Sequence, residues 1–437
     1  MKLAPRTAAY ITLAVLASLI AWPFVTPHAQ ANGYPAPAPV LPDYLNRNAT
    51  ISVFEKRAAA DPRDQFSRRI LGAQYLQRFR ERGDFRDLDR AKFAERQALA
   101  LQPANADATR AVLIAALSDE HRFHAALPYA RESYQGREKS PEAAAQLATL
   151  EIEIGNYAAA ARALAGVTND REVGSFDAAQ ARMDELTGKL AAARQLIDRA
   201  MAYSDAVIDN SAESRAWYHF RAGELAFEAG DAKAAEGDER DALARFPEYA
   251  KAYNMLARIY CATHRWQECL EAAHHGARLF PLPETLGYEA DAQRALGDRG
   301  AANSTDALIG AVERIGNSRH ISDRLLAVYY SEHDEKLPDA LAIARRELAV
   351  RDDIYAEDTL AWAAYKNGRW QTARTAIAKA LRFDTQDAKL QYHAGMIALH
   401  FGETAEAKRR LRRALALNPV FHPTYADDAR RTLAHLP

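Results

Sequence analysis

From about residue 60 to the C-terminus, apolar residues recur three and four apart, the spacing that lines one face of a helix. The runs are short, and turn residues punctuate them. In "TLAWAAYKNGRWQTARTAIAKALRFD", residues 359–384, two alanine-rich apolar stretches flank "KNGRW". Gly368 supplies the left-handed residue that ends the first stretch, with Asn367 before it. Pro247, Pro281 and Pro419 close other second stretches, because proline lacks the amide and clashes with the preceding turn. Alternating β-branched runs are nearly absent, so the pattern predicts paired helices throughout.

The pairs repeat. A step of thirty-four residues takes Gly368 to Gly402, Ala361 to Gly395, Ala373 to Ala407 and Ala380 to Ala414. The same step lays "FRAGELAFEAGDAKAAEGDERDALARFP" on "MLARIYCATHRWQECLEAAHHGARLFP", carrying Gly223 to Ala257, Ala235 to Cys269, Ala242 to Gly276 and Pro247 to Pro281. A fixed period with small residues in register marks a stack of repeats. The small residues have a physical reason: antiparallel helices approach to about 8 Å only where side chains at the crossing are short. A lone hairpin cannot bury its apolar stripe, so each repeat depends on its neighbours.

The period, the helix–turn–helix content and the small, small, small, Pro pattern resemble the tetratricopeptide repeat. The resemblance covers most of residues 60–421 and is strongest at 216–281 and 354–419. It implies an all-α, right-handed α-solenoid of about ten hairpins over 61–421, followed by a C-terminal capping helix at 422–437. The stretch 298–319 fits the pattern poorly, and its second helix is expected out of place. "LGAQYLQRFRERGDFRDLDRAKFAERQALALQP" carries the pattern with about seven extra residues. Asp84, Asp87 and Asp89 within it read as an exposed insertion, since their spacing does not fit a calcium loop.

The N-terminus is of another kind. Residues 1–31 begin with Lys2 and Arg6, continue as an apolar run from Ala8 to Val25, and end in Ala29-Gln30-Ala31. That is the order of a secretory signal, with cleavage expected after Ala31. The alternative is an uncleaved anchor helix, although the run is short for a bilayer and Pro23 interrupts it. "NGYPAPAPVLPDY" comes next as an extended spacer, so residues 32–60 read as spacer and lead-in, with the folded part starting near Ser52 to Asp61. The chain is expected to be exported: periplasmic first, membrane-anchored or secreted otherwise.

Charge adds little direction. The chain has 57 basic and 58 acidic residues, so no global field favours nucleic acid. "KRRLRR", Lys408 to Arg413, reads as a solvated face. Thirteen scattered histidines complete no ligand set at a recognised spacing, so no metal is expected. HExxH, GxSxG and strand-bound Gly-rich loops are missing, which argues against an enzyme and against a small-molecule cofactor. Cys261 and Cys269 fall on opposite arms of one hairpin. A disulfide and a pair of buried thiols both fit, and the distance between the two backbones decides.

What remains is the inner surface. In the family resembled, first helices line a concave groove that holds a peptide or a partner's helix. Carried over residue by residue, the groove comprises Trp217, Phe220 and Glu224; Lys251, Asn254 and Arg258; Asp291 and Arg294; Arg324; Asp358, Trp362 and Tyr365; and Tyr392 and Met396. Aromatics mixed with Arg and Asn suit an extended protein ligand. The expectation is a non-enzymatic scaffold that binds a protein or peptide, with membrane contact only if the N-terminal segment is retained. Two alternatives stand beside it: an enzyme or enzyme subunit with a site in the irregular 284–353 region, and a membrane-anchored assembly factor of the same fold.

Overall fold

Small residues at the crossings set the packing. Ala361 and Ala373 are both fully enclosed, as are Ala380, Ala407 and Ala414. The protein is represented by a computed structural model that describes residues 42–102, 106–319 and 324–437, with side chains of 315–319 excluded. Among the described residues every regular element is a helix. The segment expected as signal and the proline-rich stretch to residue 41 lie outside them. Asp43–Pro437 forms one unit.

α1 (Asp43–Ala60) precedes ten hairpins. The first three are α2–α3 (Gln65–Arg82, Phe85–Leu101), α4–α5 (Asp107–Asp119, Phe123–Tyr134) and α6–α7 (Pro141–Glu153, Tyr157–Leu164). Next come α8–α9 (Gly174–Leu186, Leu190–Ala206), α10–α11 (Ala212–Glu228, Ala232–Arg245) and α12–α13 (Ala250–Ala262, Trp266–Leu279). The last four are α14–α15 (Pro283–Ala295, Arg299–Arg319), α16–α17 (Arg324–Glu332, Leu337–Val350), α18–α19 (Ile354–Lys366, Trp370–Ala380) and α20–α21 (Ala388–His400, Thr404–Leu417). α22 (Tyr425–His435) caps the array. Every hairpin turns through a residue of positive φ. In seven it is a glycine, and His121, His264 and Asp334 take the same role in the other three.

Three expectations are corrected. The folded part begins at Asp43, inside the segment read as spacer and lead-in. α1 is ordered through Arg47, which is buried and pairs with Asp43 and Glu81 while donating to Gln74 at 2.8 Å, and through Ile51. The extra residues of the first hairpin form no exposed insertion. They lengthen both of its helices, and Asp87 is buried beside Arg78. Residues 299–319 are one long helix in its proper place after α14, not a displaced element.

The stack also meets itself. The turn of a hairpin abuts the loop that precedes the hairpin six further on. Tyr157 Oη accepts from the amide of Ile354 at 3.0 Å. Thr385 donates to the carbonyl of Leu186 at 2.6 Å, and Asn418 to that of Phe227 at 2.7 Å. His264 Nε2 donates to the carbonyl of Pro423 at 3.0 Å. At the other end the amide of Ala212 donates to Asp43 at 3.0 Å. The first three pairs lie about two hundred residues apart, close to six periods of thirty-four, and the last two about five periods apart. Successive turns of the solenoid are therefore in contact.

Candidate partner-binding site

First helices present their polar positions inward, and opposite charges three apart on them form the centre of that face. Arg182 and Glu185 on α8 pair with each other, and Arg221 and Glu224 do so on α10. Glu185 also accepts from Arg221 at 2.7 Å, which joins the two helices. Tyr355, at the start of α18, lies between Arg182 and Arg324, its ring centre 5.2 Å and 5.9 Å from their guanidiniums. Glu228 ends α10 in the same neighbourhood. Burial, then the charges of Glu185 and Asp387, hold its carboxyl well above the usual range.

Nearer the C-terminus the inner charges are paired within the chain. Glu332 accepts from Lys389 at 3.0 Å and faces His422 at 3.5 Å. Burial favours its protonated form, but Lys389 and His422 outweigh that and keep the carboxyl well below its ordinary value. Burial likewise disfavours charge on His333. The hydrogen bond and charge of Asp291, 3.2 Å away, win and lift it to about 9.

The carried-over groove residues divide into four groups. Asp358, Trp362 and Tyr392 are buried within the protein and do not line an open surface, which corrects the expectation for them. Asp358 accepts from His393 at 2.9 Å, Trp362 Nε1 donates to Tyr425 Oη at 3.0 Å, and Tyr392 donates to Asp428 at 2.8 Å. The cause is α22, whose Tyr425 enters this cluster; Tyr365 and Met396 pack against it. Trp217 and Phe220 are half-buried against Phe246 and Tyr249, a cluster that Tyr44 of α1 also joins. Asp291 and Arg294 are bound to each other, and Arg294 also to Asp306.

Five remain on the inner face. Glu224 is tied to Arg221, and Asn254 bridges Glu284 at 3.1 Å and Thr285 at 2.9 Å. Lys251 is exposed. Arg258 lies over the ring of Phe227 at 4.9 Å, and Arg324 over that of Tyr355. Neither guanidinium has an ion pair among the described residues. Arg182, Glu185, Arg221, Glu228 and Tyr355 were missed by sequence reasoning. The available signal was the Arg-x-x-Glu spacing in "RMDE" and "RAGE" on two first helices, although the two runs stand at different distances from their turn glycines, Gly188 and Gly230.

Cys261 and Cys269 are joined by a disulfide across the α12–α13 hairpin, with Cα atoms 5.2 Å apart. Among the described residues no cluster of three or more His, Cys, Asp or Glu side chains could hold a metal ion. His320, in the irregular 284–353 region where an enzyme site was the alternative, lies outside the described residues.

No family model matches the chain, and no curated protein is similar to it in sequence. Solved structures match over most of the chain at low TM-scores. The Cut9–Hcn1 hetero-tetramer of the APC/C matches over 89% of this chain and 93% of its own, at 13% identity and a TM-score of 0.33. Yeast Tom70 matches over 90% and 93%, at 11% identity and a TM-score of 0.38. The thirty-four-residue step and the helical hairpins of the structure itself make this chain an α-solenoid, the architecture that its resemblance to the tetratricopeptide repeat implied.

Proposed function

We propose that the chain is a non-enzymatic, exported scaffold whose inner face binds a segment of another protein. The observation that carries this is the state of Arg258 and Arg324. Both stand half-buried on first helices, with no acid paired to them among the described residues. Nearby Tyr288, Glu284 and Asp387 outweigh burial and keep Arg258 charged without an ion pair to it, and a carboxylate or a row of main-chain carbonyls from a ligand would accept from these guanidiniums directly. The carboxyl of Glu228, which burial pushes well above its usual range, and the hydroxyl of Tyr355 add hydrogen-bonding capacity nearby.

Export is supported by the order of residues 1–31 and by the Cys261–Cys269 disulfide, which suits an oxidising compartment. The reading of an enzyme in 284–353 gains no support from the titratable groups there. Asp291, Arg294, Asp306 and His333 are bound to one another. Retention of residues 1–25 as an anchor is decided by N-terminal sequencing of the mature protein.

Crosslinked pull-down from the native envelope tests the inner face. Arg258→Glu and Arg324→Glu should each cut recovery of the bound partner about tenfold or more, as expected when a buried charge partner is lost. Arg278→Glu, at an exposed position of α13, should leave it unchanged. Equal yields from all three variants would remove the inner face from consideration.

A further inference from the structure

The run Lys408–Arg413 is one part of a larger surface. Arg413 faces solvent on α21; one period earlier α19 presents Lys379, and one period before that α17 presents Arg345. These helices adjoin. Leu348 of α17 lines one shallow cleft with Thr375 and Lys379 of α19, and Arg374 of α19 pairs with Glu403 at the foot of α21. Arg346, Arg369 and Arg412 are exposed alongside the ladder. Lys379 pairs with Glu357. The guanidiniums of Arg345, Arg346, Arg369, Arg412 and Arg413 have no ion pair among the described residues. Residues 366–437 carry thirteen Lys and Arg against six Asp and Glu, in a chain whose net charge is −1.

We propose that the exposed faces of α17, α19 and α21 form a basic strip that docks on an anionic phospholipid surface. The strip belongs to second helices and is separate from the inner face. Two features favour lipid over an acidic polypeptide. Between the cations stand Ala342, Thr375 and Ala378, short side chains that offer no anchor of the kind that gives protein interfaces their affinity. At the edge of the strip the exposed indole of Trp370 is held by stacking on His400 at 3.7 Å. Such a ring sits well at headgroup level, and unpaired cations spaced one helix apart answer dispersed phosphates.

Co-sedimentation of the full chain tests this, with vesicles of phosphatidylcholine alone or containing about one quarter phosphatidylglycerol. The readout is the difference between the two, because the apolar N-terminal segment contributes to both. The phosphatidylglycerol vesicles should bind at least about tenfold more tightly at about 0.05 M salt, and the preference should collapse at about 0.5 M. The quintuple variant Arg345→Gln, Arg346→Gln, Arg369→Gln, Arg412→Gln, Arg413→Gln should lose the preference with its thermal unfolding unchanged. The pair Arg412→Gln, Arg413→Gln should lose part of it. Absence of any lipid preference, or its survival in the quintuple variant, overturns the proposal. So does binding of polyglutamate that the variant abolishes while vesicles show no preference, an outcome that assigns the strip to an acidic polypeptide.

Discussion

Glu95 is wholly enclosed, and neither carboxylate oxygen has a hydrogen-bond partner. It fills space that Gly72 leaves: a Cβ on Gly72 would lie 2.2 Å from Glu95 Oε1. The same exchange occurs between Gly223 and Glu239, at 2.4 Å, and between Gly395 and Leu411, at 2.9 Å. Where the first helix gives up its Cβ, the second helix supplies a larger side chain. Burial pushes the carboxyl of Glu95 up to about 8. An unfolded chain releases that proton near pH 4.3, so between there and about pH 8 the folded state holds more protons. Stability from this group is therefore greatest on the acid side and is lost as pH rises toward 8. Glu95→Gln should match the parent near pH 5 and melt several degrees higher near pH 9, because a tenfold difference in proton affinity between folded and unfolded chains is worth about 1.4 kcal/mol. Thermal melts across that range check it. Parallel pH profiles for the two proteins would show that the buried carboxyl is not the source.

At the scale of elements, the hairpins were legible because their determinants are local. Ala361, Ala373 and Gly368 lie within one period, and the same residues decide both crossing and turn. The turns at His121, His264 and Asp334 were not legible, since a non-glycine residue at positive φ leaves no mark in composition. α1 escaped for a related reason: it carries no repeat, and its order depends on Arg47 reaching Glu81. The fate of Trp362 was the largest miss at the site. Its spacing places it on the inner face, but whether that face is open depends on the segment after the last repeat. α22 covers it, with the Tyr425 ring stacked on His422 at 4.1 Å and on Tyr392 at 4.6 Å. Repeat arrays lose stability locally when one interface fails. Tyr425→Ala should cost about 3–5 kcal/mol at that end. Amide exchange should then accelerate in α20 to α22 while α2 and α3, at the far end of the array, keep the parent rate. Uniform acceleration along the chain would mean that α22 is not an independent cap.

At the scale of the whole array, contacts between successive turns set which glycines can change. Gly155 and Gly402 end first helices in the same way, with φ of 80° and 74°. Alanine at either position bears the strain of a left-handed residue, about 1–2 kcal/mol. Their surroundings differ. A Cβ on Gly402 would meet nothing within 4 Å, whereas one on Gly155 would lie 2.0 Å from the carbonyl oxygen of Asp352. That oxygen is backbone, close in the chain to the amide of Ile354 that Tyr157 holds, so it cannot turn aside as a side chain would. Gly155→Ala must push the loop before α18 away from the α6–α7 turn. Because the same loop carries Asp353 and leads into Tyr355, the inner face should be disturbed too. Gly402→Ala should lower stability by the local strain alone, while Gly155→Ala should lower it by at least a further ~2 kcal/mol, the scale of a core clash. Chemical denaturation of the two variants measures the gap, and loss of partner recovery in Gly155→Ala alone would tie the meeting of the turns to the inner face. Equal destabilisation would mean that the two turns stand apart in solution and that the inner face opens sideways to the solvent.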